Sequence, residues 1–208
     1  MEFDDFVQNI SQLKNKPLGG LMAQFKLAPQ FRLEYESKKD QVQHPKKAAV
    51  LGLFYPNKLG ETSFVLTQRA SYKGVHSAQI SFPGGKIERQ DHSLYDTALR
   101  ETFEEIGVSK TSILKIRELT QLYIPPSDFL VTPFLAYTHQ KLVFHLNDEV
   151  ASVLEVRVSH LMDDANVNSV LMTTPYMKKI SVPCFKFQHH IVWGATGMIL
   201  SEVKELLR

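Results

Sequence analysis

The sequence predicts an α/β fold in which a mixed sheet lies between helical layers, and three observations carry that prediction. Strand-length apolar runs fall on both sides of one amphipathic helix near the middle of the chain, a Pro-Gly-Gly loop precedes that helix, and a second helical segment follows Trp193. A sheet with strands before and after a central helix buries both faces only where helices cover them. With 208 residues, 43% apolar and 22% charged, one domain over 1–208 is expected, with roughly residues 1–45 as a helical extension.

Phe3, Phe6, Ile10 and Leu13 recur at spacings of three and four, which predicts an amphipathic helix over residues 3–14. Its apolar stripe suits packing against the main domain, or contact with a second copy in a homodimer. Leu18–Gln43 carries Pro17, Gly19-Gly20 and Pro29 at or near its start and a charged run over Glu34–Asp40, and reads as irregular structure leading into a short polar helix. Ala48–Tyr55 and Ser63–Arg69 are strand-like runs around the turn Pro56–Glu61, so a hairpin is expected. In the central helix Leu94, Ala98, Leu99, Thr102, Phe103 and Ile106 form the predicted buried stripe, the glutamates face away from it, and Gly107 is the stop. Strands are expected over Ile113–Tyr123, Phe129–Tyr137, Lys141–Leu146 and Ser152–Val158, a short helix over Ser159–Asp164, a final hairpin from Ile180–Phe187 and His190–Trp193, and a core helix ending at Leu207.

Charge narrows the function classes. Lys+Arg 24 against Asp+Glu 22 leaves a net charge of +2, too balanced for a nucleic-acid or membrane-surface protein, so any phosphate recognition is local. The single cysteine, Cys184, excludes an intrachain disulfide, no apolar run reaches membrane-span length, and the acidic start MEFDDF differs from a basic leader. The expected location is the cytoplasm.

The chemistry concentrates in Ser81–Val108. Glu104 and Glu105 lie three and four residues after Glu101, so all three carboxylates are neighbours on one helix. Like charges at that spacing cost roughly 0.2–0.5 kcal/mol per pair. On charge alone such a cluster is a solvated acidic face. Gly84-Gly85 tilts the reading toward a site, because glycine backbone admits a ligand closely and helix-entry amides suit an anion. A hard divalent cation would compensate the carboxylates and bridge them to a phosphate. Arg69, at a strand end before this loop, is either a rim charge or a substrate contact. Asp128, after Pro125-Pro126-Ser127, is either a ligand or a backbone cap. Glu149 sits in an acidic turn.

Gly85, Arg100-Glu101, Glu104-Glu105 and Gly107-Val108 resemble the Nudix box, the loop-helix motif of Mg²⁺-dependent hydrolases of nucleoside diphosphate derivatives. Five residues separate Gly85 from Asp91 and eight more precede Arg100, one more than the general box has, so Asp91 or His92 stands where its first glutamate would be. Leu66-Thr67-Gln68-Arg69-Ala70, His76, Gln79 and Ser81-Phe82-Pro83-Gly84-Gly85 resemble the extra motif of the coenzyme A pyrophosphatase branch, which also carries the longer box. Gly74 replaces that branch's arginine and Ala78 its glycine. The resemblance implies an α/β/α Nudix fold with Mg²⁺ or Mn²⁺ held by Glu101, Glu104 and Glu105. It also implies that Arg100 braces the glutamates, that Glu149 approaches the metal from a loop, and that Arg69, Lys73, His76, Gly84 and Gly85 meet a CoA-like nucleotide. The implied reaction cuts CoA or acyl-CoA into 4′-phosphopantetheine, or its acyl form, and adenosine 3′,5′-bisphosphate. A Nudix hydrolase of a nucleotide sugar, dinucleotide or oxidised nucleotide is the nearer alternative. A non-catalytic nucleotide-binding domain is the other, although the box carboxylates are complete here.

Overall fold

The computed structural model describes residues 1–30, 32, 44–70, 79–174 and 177–208, without the side chains at 174, 177 and 178. The polar helix expected over Glu34–Asp40 and the expected site residues Lys73 and His76 lie outside the described residues, as do Gly74 and Ala78.

The fold is built on β1 (Lys46–Pro56), whose side chains alternate between two apolar layers. Ala49, Leu51, Leu53 and Tyr55 face the central helix, whereas Phe54 joins the core on the opposite face. Burial on both faces explains why this stretch reads as a continuous apolar run. β7 (Phe129–Tyr137) pairs with β1 in parallel from Lys46↔Phe129 to Phe54↔Tyr137. The other described pairings are antiparallel, so the sheet is mixed.

The opposite edge of β1 is shared. Its end, at Phe54–Pro56, pairs with β2 (Thr62–Arg69), and its beginning, at Ala48–Val50, pairs with β4 (Gly84–Lys86). Between these two contacts the chain crosses at Pro83, whose carbonyl accepts from the Leu51 N–H at 2.9 Å. β2 departs from β1 to pair with β3 (Ile80–Ser81) and, along its other edge, with β8 (Val150–Arg157). A notch therefore opens where the glycine loop sits.

The helix α4 (Leu94–Ile106) covers one face of the sheet. Ser93 caps it by accepting from the Asp96 N–H at 3.1 Å, and Gly107 ends it at φ 75°, a left-handed conformation that glycine adopts without strain. Thr97, Ala98, Leu99, Thr102, Glu105 and Ile106 are its buried residues. Phe103, expected in the buried stripe, is 57% exposed, and Glu105, expected to face away, is only 5% exposed. The buried arc is rotated toward the glutamates because the glycine loop, as well as the sheet, packs against this helix.

The other face carries α1 (Phe3–Gln8), α2 (Ile10–Asn15), α3 (Gly20–Phe25) and α6 (Gly194–Leu207), with the second sheet formed by β9 (Val167–Thr174), β10 (Met177–Phe187) and β11 (His190–Trp193). Phe3, Phe6, Ile10 and Leu13 are all buried within this chain, and the Phe6 ring lies 4.9 Å from that of Phe54. α3 falls where irregular structure was expected. Its place is fixed by Glu202 of α6, a fully buried carboxylate that accepts from Gln24 Nε2 at 2.8 Å, the Gly20 N–H at 3.1 Å and Thr120 Oγ1 at 2.6 Å.

Further expectations are corrected. The strand expected over Ile113–Tyr123 is two strands, β5 (Leu114–Glu118) and β6 (Leu122–Ile124), both paired to β7. Lys141–Leu146 is not a strand. Its Leu142 and Phe144 pack on the core, and the following backbone turns to the end of α4, where the His145 and Asn147 N–H groups reach the Ile106 and Glu105 carbonyls at 3.0 and 3.4 Å. β9 adds a strand to the expected final hairpin. The short helix α5 spans Val158–Met162. No helix among the described residues is long and apolar enough to cross a membrane.

Candidate active site

The two glycines of the loop are required by what lies against them. Gly84 has φ +148°, and a Cβ there would fall 2.3 Å from the Ala49 carbonyl oxygen and 2.6 Å from Val50 Cα. A Cβ on Gly85 would meet the Glu101 carboxylate, 2.5 Å from Oε1 and 2.8 Å from Oε2. The Gly84 N–H donates to Glu105 Oε2 at 3.2 Å, so this amide, expected to meet an anionic ligand, meets a carboxylate of the chain. Nor does the loop open directly into the helix, which begins ten residues after Gly84 with its own Ser93 cap.

Arg100 organises the segment between. Its Nε and Nη2 donate to Asp91 Oδ1 and Oδ2 at 2.9 and 3.1 Å, its Nη2 also to the Lys86 carbonyl at 3.1 Å, and its Nη1 to Glu104 Oε2 at 2.9 Å. The same Nη1 is 3.0 Å from Glu101 Oε1. Asp91, and not His92, is thus the partner of Arg100. Asp91 also accepts from the Thr97 hydroxyl and the Glu88 N–H, each at 2.9 Å. The Arg100 guanidinium, with these further donors, holds the Asp91 carboxyl down to about 2.

Glu101 and Glu105 are the opposite case. Burial pushes the Glu105 carboxyl up to about 7, opposed by the Gly84 amide and Arg69 and reinforced by Glu101 and Glu149. Burial also raises Glu101, with Arg100 opposing and Glu104 and Glu149 adding to the shift. The three carboxyls of Glu101, Glu105 and Glu149 thus repel one another, and Arg100 is committed mainly to Asp91.

Glu149 reaches the cluster through non-local pairing. Asn147 Oδ1 accepts from the Glu149 N–H at 3.0 Å, which shapes the turn, and the Glu149 carbonyl accepts from the Ala70 N–H at 2.8 Å. The β2–β8 register shifts between Gln68 and Arg69, a bulge that places Arg69 opposite Val150. Arg69 Nη2 then lies 3.6 Å from Glu149 Oε2. At the other end of the intervening segment the Arg69 N–H donates to the Gln79 carbonyl at 3.0 Å. The Asp128 side chain accepts from the Tyr123 hydroxyl at 2.9 Å and, among the described residues, from no backbone N–H.

Among the described residues no three His, Cys, Asp or Glu side chains are arranged so that they could hold a metal ion. The donors nevertheless suit a hard cation. Glu101 and the nearly buried Glu105 flank a loop that glycines keep free of side chains, and a divalent cation would relieve their repulsion.

The family model described as NUDIX domain matches residues 45–172. The chain belongs to the Nudix family. A protein of Citrobacter koseri named Uncharacterized Nudix hydrolase NudL is 34% identical over 146 residues, 67% of this chain and 72% of that protein. A protein of the same name from Yersinia enterocolitica is 37% identical over 97 residues, 46% of this chain and 49% of that protein. Among solved structures, the Nudix hydrolase RenU from M. Smegmatis aligns with TM-score 0.54 and 14% identity over 80% of this chain and 88% of its own. The NUDIX domain of Shewanella oneidensis NrtR, complexed with ADP ribose, aligns with TM-score 0.51 and 14% identity over 85% and 98%. These structural likenesses show the mixed α/β Nudix fold. Nudix hydrolases generally use divalent cations such as Mg²⁺, and Nudix proteins bind small nucleotides. The Nudix match begins just before β1 and ends within β9, so the N-terminal helices, β10, β11 and α6 lie outside it.

Sequence reasoning placed Glu149 in a turn but missed two features of this Nudix site, the Arg69–Glu149 pair and the Asn147 side-chain bond that shapes the turn. Asn147 followed two residues later by Glu149 is itself a turn signal. The pairing of Arg69 with Glu149 depends on a strand register and leaves no local signature.

Proposed function

We propose that this Nudix protein is a Mg²⁺- or Mn²⁺-dependent diphosphatase that hydrolyses the pyrophosphate of coenzyme A or acyl-CoA. The products would be 4′-phosphopantetheine, or its acyl form, and adenosine 3′,5′-bisphosphate. The observation that carries the hydrolase reading is the convergence of Glu101 and Glu105 on the glycine loop, with the charge of Glu149 acting on both and only partly compensated. The CoA preference is supported by the tandem segment Leu66–Gly85, in which Arg69 stands at the rim of that cluster.

Glu101, Glu104 and Glu105 would hold the cation, which when bound neutralises charge on the diphosphate and acidifies water. Arg100 keeps Glu101 and Glu104 in place while its other donors are fixed by Asp91 and the Lys86 carbonyl. Gly85 keeps the space beside Glu101 open. Glu149, on a loop anchored to β2 and to the end of α4, accepts the proton of the attacking water, and Arg69 meets a phosphate oxygen.

The test is product chromatography after incubation with CoA, acetyl-CoA, an ADP-sugar and a dinucleotide, each with Mg²⁺, Mn²⁺ or chelator. Cation-dependent release of adenosine 3′,5′-bisphosphate from CoA is the expected result. Turnover of the ADP-sugar or dinucleotide with CoA intact rejects the CoA preference. Tight binding without cleavage of any diphosphate rejects the hydrolase.

A further inference from the structure

The bulge that brings Arg69 against Glu149 gives the arginine two claims on its charge. Its contact with Glu149 is loose: 3.6 Å from Nη2 to Oε2, beyond hydrogen-bond distance, with the Glu149 side chain 68% exposed. Its Nε is buried and, among the described residues, has no hydrogen-bond partner. Its charge also acts on Glu105. Arg69 is therefore a cation already drawn to two of the carboxylates among which a divalent cation would lie, yet held firmly by neither.

We propose that Arg69 competes electrostatically with the divalent cation beside Glu105 and Glu149 and turns its guanidinium to a substrate phosphate once the cation compensates those carboxylates. This rests on the diphosphatase reading above. The physical content is a sign difference. A monovalent guanidinium near the carboxylates weakens their attraction for a cation, and a guanidinium freed from Glu149 can turn its Nη2 to a phosphate oxygen in a charge-assisted bond. Cation and substrate then assist each other, since each relieves the other's competitor. An arginine that only supported the fold would weaken both on removal.

The experiment measures Mn²⁺ binding by calorimetry, without substrate, for wild type, Arg69→Gln, Arg69→Lys and Arg69→Gln in a Glu149→Gln background, with KM for whichever diphosphate the wild type cleaves. Arg69→Gln is expected to bind Mn²⁺ about two- to fivefold more tightly, the scale of a partly exposed ion pair. It is also expected to raise KM about tenfold or more through loss of a charge-assisted contact. Arg69→Lys should keep Mn²⁺ affinity near wild type while recovering only part of KM, and in the Glu149→Gln background the gain in Mn²⁺ affinity should largely vanish. Thermal melts identify any variant that has lost its fold, in which case Arg69→Lys decides. Unchanged or weaker Mn²⁺ binding in folded Arg69→Gln overturns the competition, and tighter Mn²⁺ binding with unchanged KM overturns the transfer. A wild type that binds Mn²⁺ but cleaves no diphosphate rejects the diphosphatase reading instead, which separates the two failures.

Discussion

Gly85→Ala probes the cluster without touching a carboxylate. The added Cβ would stand 2.5, 2.6 and 2.8 Å from Oε1, Cδ and Oε2 of Glu101, closer than side-chain atoms pack, so the carboxylate must withdraw by about 1 Å. Those atoms are the end of a flexible side chain, and the cost of an off-rotamer Glu101 is about 0.5–1.5 kcal/mol. Alanine recovers about 0.4–1 kcal/mol by restricting the unfolded chain. Stability should therefore change by no more than about 1 kcal/mol, a Tm shift of about 2–4 °C for a domain of this size. Cation affinity should fall about tenfold or more, because a displaced ligand costs at least what a disturbed supporting contact does. Gly84→Ala is the control: at φ +148° its Cβ would strike the Ala49 and Val50 backbone, which cannot yield, and about 3 kcal/mol or about 6–12 °C should be lost. Differential scanning fluorimetry with Mn²⁺ calorimetry reads both. If Gly85→Ala keeps Mn²⁺ affinity within about threefold, Glu101 does not ligate the cation, and the reasoning fails.

Asp91→Asn should cost about 2 kcal/mol near neutral pH, the difference between an ordinary carboxyl and one held at about 2. Because the folded value is depressed, this contribution is complete above the ordinary carboxylate range and disappears as pH falls toward about 2, so urea denaturation at stepped pH should show the two proteins converging on acidification. Glu105→Gln removes a repelled, buried charge, so in chelator its Tm should equal or exceed wild type while its Mn²⁺ affinity drops about tenfold or more; a lower Tm with unchanged affinity would count against its role. Glu149→Gln should lower kcat about 10²-fold or more with little effect on KM, whereas Asp128→Asn should be mild, and initial rates showing less than about a fivefold loss at Glu149 would move the base elsewhere.

The elements most legible in the sequence were those whose burial pattern is local. β1 and β2 announce themselves by length and apolar content, and Gly107 marks the end of α4 by its own backbone chemistry. Lys141–Leu146 was misread because Leu142 and Phe144 turn inward alternately, as strand residues do, yet the backbone following them bonds a helix end instead of a strand. α3 was missed because Gly19-Gly20 reads as a breaker; here Gly20, at φ +65°, begins the helix, and buried Glu202 holds it there. Within the site, spacing alone brought Glu101, Glu104 and Glu105 together, and counting from Gly85 left Asp91 and His92 as alternatives that only geometry separated. Arg69 and Glu149 meet through a bulge between strands 80 residues apart in sequence, and no local pattern encodes that.

Arg69 and Gln79 are clamped together: the Arg69 N–H donates to the Gln79 carbonyl, β2 and β3 pair beyond it, and Ala70 is fastened separately to Glu149. The positions of Glu101, Glu104 and Glu105 are set by α4 and by their contacts with Arg100 and Gly84, which lie outside residues 71–78. Substitutions or length changes at 71–78 are therefore expected to spare those three carboxylates, so the chain should tolerate insertion better beside the site than within it.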